Sequence, residues 1–105
     1  MVKIPDKIIE IIKDFVKQAE FHNVTIQKAV LFGSYAKGTN HEWSDIDLAV
    51  VSEDFEGIRI NDSQLLFEPI IQTSVDIEPH TYRPEDFNEE DPFVKEILKH
   101  GVRII

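Results

Sequence analysis

Two acids at alternate positions of an apolar run limit what this chain can become more than anything else in it. The run is Ser44-Asp45-Ile46-Asp47-Leu48-Ala49-Val50-Val51. As a strand it sends successive side chains to opposite faces, so Asp45 and Asp47 point one way and Ile46, Leu48 and Val50 the other. Two carboxylates fixed side by side repel each other unless a cation lies between them. Hard divalent ions with oxygen ligands, Mg²⁺ above all, suit such a pair and share it with substrate phosphates. Upstream, the apolar run Ala29 to Phe32 stops abruptly at Gly33-Ser34, ahead of Tyr35-Ala36-Lys37-Gly38. Glycine lets the backbone come close to a ligand, and N–H groups at a helix start attract phosphate oxygens. Together the two runs predict a metal-dependent site for nucleotidyl transfer.

Size and charge narrow the rest. The 105 residues predict a single domain over 1-105, with one core and no second lobe. Net charge is -9, from 20 acids against 11 bases. That argues against autonomous binding of a long nucleic acid and fits metal binding or docking on a basic partner, although acidity also serves plain solubility. With no cysteine, disulfides, zinc thiolates and thiol nucleophiles are excluded. Charges in Met1 to Lys7 come before any apolar core, unlike a signal peptide, and no apolar run is long enough to span a bilayer. A cytoplasmic protein without membrane attachment is expected.

Taken in order, Asp6 to Phe21 reads as an amphipathic helix burying Ile8, Ile12, Phe15, Val16 and Ala19, with Pro5 suited to its first turn. Ile26 to Phe32 is the first strand, Ser34 to Lys37 a short helix, Gly38 to Glu42 a loop, and Asp45 to Val51 the second strand. In Asp62 to Gln72, Asp62 or Ser63 can cap a helix burying Leu65, Leu66 and Ile70, against which Pro69 costs a hydrogen bond and a kink. Ser74 to Glu78 is a third strand with Asp76 and Glu78 on one face. Asp91 caps a last helix, with Pro92 at its first position, Phe93, Ile97 and Leu98 inward and Gly101 as terminator. Val102 to Ile105 is a final short strand or a packed tail. The fold class is α/β (α+β), a small mixed sheet with flanking helices.

Gly33-Ser34, ten intervening residues, then Asp45-x-Asp47 on an apolar strand resembles the signature of the DNA polymerase beta-like nucleotidyltransferase superfamily. The short chain is similar to its minimal branch, which includes antitoxins paired with HEPN-domain proteins. The resemblance runs from the first strand through Phe87, and the ending Glu96 to Val102 is also typical. It implies three carboxylates around divalent metals: Asp45 and Asp47 as the pair, and Asp76, between Val75 and Ile77, as the third. It further implies two Mg²⁺ ions during turnover, one bridging Asp45 and Asp47 on the triphosphate and one shared with Asp76 at the acceptor hydroxyl. Asp76 can also take the acceptor proton directly. Gly33, Ser34 and Lys37 are then nucleotide-binding, Ser34 holding the phosphates that leave as pyrophosphate and Lys37 adding charge. Glu78 is a strand-end acid of secondary interest. His22, His41, His80 and His100 show no metal-ligand spacing and read as surface residues. Tyr35, Trp43 and Tyr82 read as core or rim.

Larger relatives carry a helical domain for base and acceptor, for which 105 residues leave no room. The missing surface is expected from a partner, from self-association as a homo-oligomer, or from an acceptor with its own shape. The leading expectation is ATP-dependent attachment of AMP to a HEPN-type toxin, an antitoxin activity. The alternatives are the same chemistry on a small molecule or RNA end, and a non-catalytic module that inhibits its partner by occlusion.

Overall fold

In this computed structural model, which describes residues 3–105, the first element is α1 (Asp6–Phe21). Its buried stripe is Ile8, Ile12, Phe15, Val16 and Ala19, the set its spacing predicts. Asn23, at φ 67°, turns the chain out of the helix, and the next amide, on Val24, donates back to the Ala19 carbonyl at 2.9 Å.

Among the described residues four strands follow: β1 (Lys28–Phe32), β2 (Ile46–Val51), β3 (Ile77–Tyr82) and β4 (Val102–Arg103). They form one mixed sheet in the order β3-β2-β1-β4, with β2 and β3 parallel and the other pairs antiparallel. A parallel neighbour needs a crossover, which α3 (Arg59–Leu65) and α4 (Phe67–Thr73) provide. Alternation along β2 sends Ile46, Leu48 and Val50 into the core beneath α1, together with Leu31, Leu66 and Ile77. The opposite face packs Val30, Ala49 and Val51 against Val94 and Ile97 of α5 (Pro92–His100). Between β1 and β2 lies the one-turn helix α2 (Ser34–Lys37). Among the described residues, no helix is long and apolar enough to cross a membrane.

Three local expectations need correction. The third strand is not Ser74 to Glu78 but Ile77–Tyr82, and Val75 is exposed. The Ser74 hydroxyl accepts from the Asp76 amide (3.2 Å) and the Ser74 carbonyl from the Ile77 amide (3.3 Å), so the chain is still turning there. Pro79 is tolerated within β3 because that strand lies at the sheet edge, where a missing N–H costs no ladder bond.

The segment around Pro69 is two helices broken at Leu66, and Pro69 falls in the first turn of α4, where its absent N–H is not needed. Asp62 caps neither of them. It is buried inside α3, where its carboxylate accepts from the amides of Glu56 (2.9 Å) and Gly57 (3.0 Å). Leu65 is exposed, while Leu66 is fully buried. In α5, capped by Asp91 through the Phe93 amide (2.9 Å), the inward residues are Val94 and Ile97. Phe93 and Leu98 are about half exposed, at 49% and 45%.

Candidate active site

The end of the sheet facing α2 gathers the candidate residues. Across the strands, Phe32 of β1, Asp47 of β2 and Glu78 of β3 stand in one row, and Ala49 pairs with His80 two residues further on. Residues level with one another in a ladder share a face, so Asp47, Glu78 and His80 converge. A carboxylate oxygen of each acid and a ring nitrogen of His80 all lie within 4.8 Å of one another.

Gly33 is what lets Asp47 lie as it does. It leaves β1 at φ 75°, ψ -147°, a region that essentially only glycine occupies. A Cβ at this position would overlap the Asp47 carboxylate oxygen and come within 3.0 Å of its Cγ. The acid therefore packs directly on the backbone of the turn. Its carboxyl titrates above the ordinary carboxylate range, chiefly because it is desolvated, then because Glu78 and Asp45 crowd it with like charge. This is the electrostatic condition that a divalent cation relieves, and the oxygen and nitrogen donors present suit one.

His80 is held by two phenyl rings, edge-on to Phe32 at 4.9 Å and stacked on Phe93 at 5.8 Å. Arg59, the first residue of α3, donates from Nη2 to His80 Nδ1 at 2.6 Å. Burial and then the Arg59 charge push the imidazole below its usual pKa, against a smaller upward pull from Glu78. Its charged form is disfavoured.

Of the residues singled out in the sequence, Asp45 is exposed just before β2 and close enough to raise the Asp47 pKa. Ser34 opens α2, with Gly33 immediately before it. Lys37 is exposed at the end of α2, where with Gly33 it borders a cavity of about 360 Å³ that Phe93, Ile97 and His100 close from α5. Asp76 is exposed in the turn before β3 and borders a different cavity, with Ile8, Tyr35, His41 and Ile46. Its carbonyl accepts from the Ile46 amide at 2.8 Å, so its backbone is level with the start of β2. Among the described residues, Asp45, Asp47 and Asp76 do not form a set as tight as Asp47, Glu78 and His80.

The two groups that sequence reasoning underrated are thus Glu78 and His80. The signal was present as the alternation Asp76, Glu78, His80. Pro79 obscured it, because proline reads as a strand terminator unless the strand is known to be an edge.

Comparison with known proteins gives the family. Residues 6–104 match the nucleotidyltransferase domain family. A Methanocaldococcus jannaschii protein assigned as a protein adenylyltransferase is 35% identical over 82 residues, covering 72% of this chain. The chain spans only 55% of that relative's length. Among solved structures, a Sulfolobus solfataricus protein assigned as a nucleotidyltransferase superposes with a TM-score of 0.65 at 17% identity, over 91% of this chain and 78% of that one. A chain from a toxin–antitoxin assembly solved with AMP-PNP gives 0.56 at 24% identity, over 95% and 71%. At those identities the two structures speak for the fold alone. Matched along nearly its whole length, and with acids converging on a glycine turn, the chain belongs to the nucleotidyltransferase domain family.

Proposed function

We propose that this chain moves AMP from ATP onto a hydroxyl of a protein partner, a HEPN-type helical toxin, and so acts as an antitoxin. The observation that carries the reading is the crowding of Asp47 by Asp45 and Glu78 against the Gly33 backbone. Support for the acceptor class comes from the relative assigned as a protein adenylyltransferase. A toxin–antitoxin assembly with the same fold agrees with it.

In this reading Asp45 and Asp47 would hold a divalent cation, Mg²⁺ or a substitute, which would neutralise triphosphate charge and polarise the phosphoryl oxygens. Ser34, through its hydroxyl and amide, holds the terminal phosphates, and Lys37 offers them a positive charge. The acceptor oxygen bonds to the α-phosphorus as the bond from that phosphorus to the bridging oxygen breaks, and pyrophosphate leaves with the electron pair. The acceptor proton passes to a carboxylate of the site. Two acids compete for the third place: Asp76, beside the start of β2, and Glu78, beside Asp47. Asp76→Asn and Glu78→Gln variants, assayed side by side, assign it to whichever abolishes transfer.

The reading is tested by incubating the protein with the product of a neighbouring reading frame, a divalent cation and ATP labelled at the α-phosphate. Label on a partner hydroxyl supports it. Label only on RNA or on a small molecule replaces the acceptor and keeps the chemistry.

One observation favours a second reading, inhibition by occlusion. Ile60, Leu65, Phe67 and Ile71, on the crossover helices α3 and α4, are large and exposed, as a partner-binding face would be. Neutralisation of the partner that survives Asp45→Ala with Asp47→Ala would select that reading.

A further inference from the structure

We propose that the outer face of the crossover helices α3 and α4 is a dimer interface, covered in solution by the same face of a second copy of this chain across a twofold axis. The inference does not depend on the transfer reaction. It also takes this face away from the occlusion of any other partner.

Both helices are amphipathic the wrong way round. Of its own residues α3 buries only Asp62, and α4 buries only Pro69. Leu66, at the break between them, and the half-buried Ile70 tie the crossover to the core. Outward stand Ile60 (70% exposed), Leu65, Phe67 (60%) and Ile71, flanked by Ile58 and Val75. Phe67 and Ile71 lie one turn apart, on the same side of α4. Among the described residues, this one segment holds six of the ten large apolar side chains left exposed, so the exposure is concentrated rather than scattered. By contrast, α1 turns Glu10, Lys13, Asp14 and Lys17 to water, as a surface helix does. Single exposed leucines are ordinary, but a concentration of this kind marks an interaction surface.

Area and charge point to a second copy as the cover. The six side chains together expose roughly 600 Å², the upper end of what the largest apolar patch on a monomer shows. A stable interface takes about 800 Å² from each partner, and somewhat over half of that is apolar, so the patch is large enough for one. The chain carries a net charge of -9, and two copies meeting by acidic surfaces repel each other. Between Ile58 and Val75 the charged residues are Arg59, Asp62 and Glu68, and Asp62 is buried on the amides of Glu56 and Gly57. The face therefore presents one base, at the start of α3, and one acid, in the first turn of α4, and is neutral. A strongly basic or acidic partner gains nothing from such a face. An isologous contact suits it, because a twofold axis sets Arg59 of each copy beside Glu68 of the other. A guanidinium has five N–H donors, and the bond to His80 uses one of them, so others remain for that pair. The face runs from Arg59, which holds His80, to Val75, next to Asp76. A second copy seated on it thus reaches residues beside the candidate site at both ends.

The test is sedimentation equilibrium on the full chain between about 1 μM and about 100 μM. A particle of twice the 12.2 kDa chain mass is expected at the upper concentrations. Phe67→Asp and Ile71→Asp should each weaken the dimer about tenfold or more, with circular dichroism and the urea midpoint unchanged because both positions are exposed. Arg59→Glu and Glu68→Arg should each weaken it, and the two together in one chain should restore it, as only a reciprocal contact between copies allows. On the unaltered chain, NMR signals that move on dilution should map to residues 58–75, a readout that stands even where a variant fails to fold. A monomer at every concentration overturns the proposal. So does a dimer that Phe67→Asp leaves within about twofold of the parent, or dilution shifts that map elsewhere. A chain that stays monomeric until a different protein covers these helices also overturns it, and favours the occlusion reading instead.

Discussion

Replacing Gly33 by alanine tests the construction of the site through a single methyl group. Two separate penalties are expected. The backbone at φ 75°, ψ -147° disfavours any residue with a Cβ, at about 1–3 kcal/mol. The new methyl also lands on the Asp47 carboxylate, which must rotate away. A total near 2 kcal/mol would lower the melting temperature by about 8–15 °C in a domain of this size. A double-mutant cycle with Asp47→Ala separates the parts, since removing the carboxylate relieves the overlap but not the backbone. Contacting pairs of this kind show coupling of about 0.5–3 kcal/mol. The assay is urea unfolding of the metal-free chain, with Mn²⁺ affinity measured on the same samples. Cation binding should fall in Gly33→Ala along with stability, because Asp47 is displaced. A Gly33→Ala variant as stable as the parent, or one whose penalty is unchanged in the Asp47→Ala background, would refute the packing of this acid on the turn.

Other consequences follow from the same geometry. Asp47→Asn should raise the stability of the metal-free protein in a pH-dependent manner. Because the folded-state pKa lies above the ordinary 3.8, the folded chain holds this proton more tightly than the unfolded one, and ionisation costs stability as pH rises. The gain should be absent below about pH 3.8, complete above the folded pKa, and visible as a flatter stability–pH curve. Asp62→Ala should cost about 2–4 kcal/mol by chemical denaturation, since it leaves the amides of Glu56 and Gly57 without their acceptor in a buried place. Leu48→Ala, at a fully buried position of β2, should cost about 2–5 kcal/mol in the same assay. Asp91→Ala should cost about 1 kcal/mol through the lost cap on the Phe93 amide.

What could be read from the chain alone was what local periodicity and punctuation determine. The helix Asp6–Phe21, the stop at Gly33-Ser34, the core-facing set Ile46, Leu48 and Val50 of β2, and the Asp91-Pro92 helix start all follow from neighbours a few residues apart. The errors arose where a distant part of the chain decides. Pro79 sits comfortably in β3 only because that strand is an edge, which depends on the whole sheet order. Once β3 begins at Ile77, its parallel register brings Glu78 to Asp47 and His80 to Ala49, and leaves Asp76 in the preceding turn. The inward face of α5 was misjudged for a similar reason. Phe93 is the more apolar residue, but Val94 meets the sheet, while Phe93 reaches sideways to Phe32 and His80. Acids and serines favour helix starts, which makes Asp62 or Ser63 a candidate cap by sequence, whereas the Asp62 partners are amides of the preceding loop.

The central claim is that acids crowded onto a glycine turn gather a cation and with it drive nucleotidyl transfer. ATP labelled differently at the α- and γ-phosphates, given to the protein with a divalent cation and the proposed partner, tests this most directly. The α label should move to the partner while the γ label leaves in pyrophosphate, and a folded Asp45→Asn, Asp47→Asn protein should move neither. Release of the γ label as free phosphate, or equal transfer by the doubly substituted protein, would contradict the account.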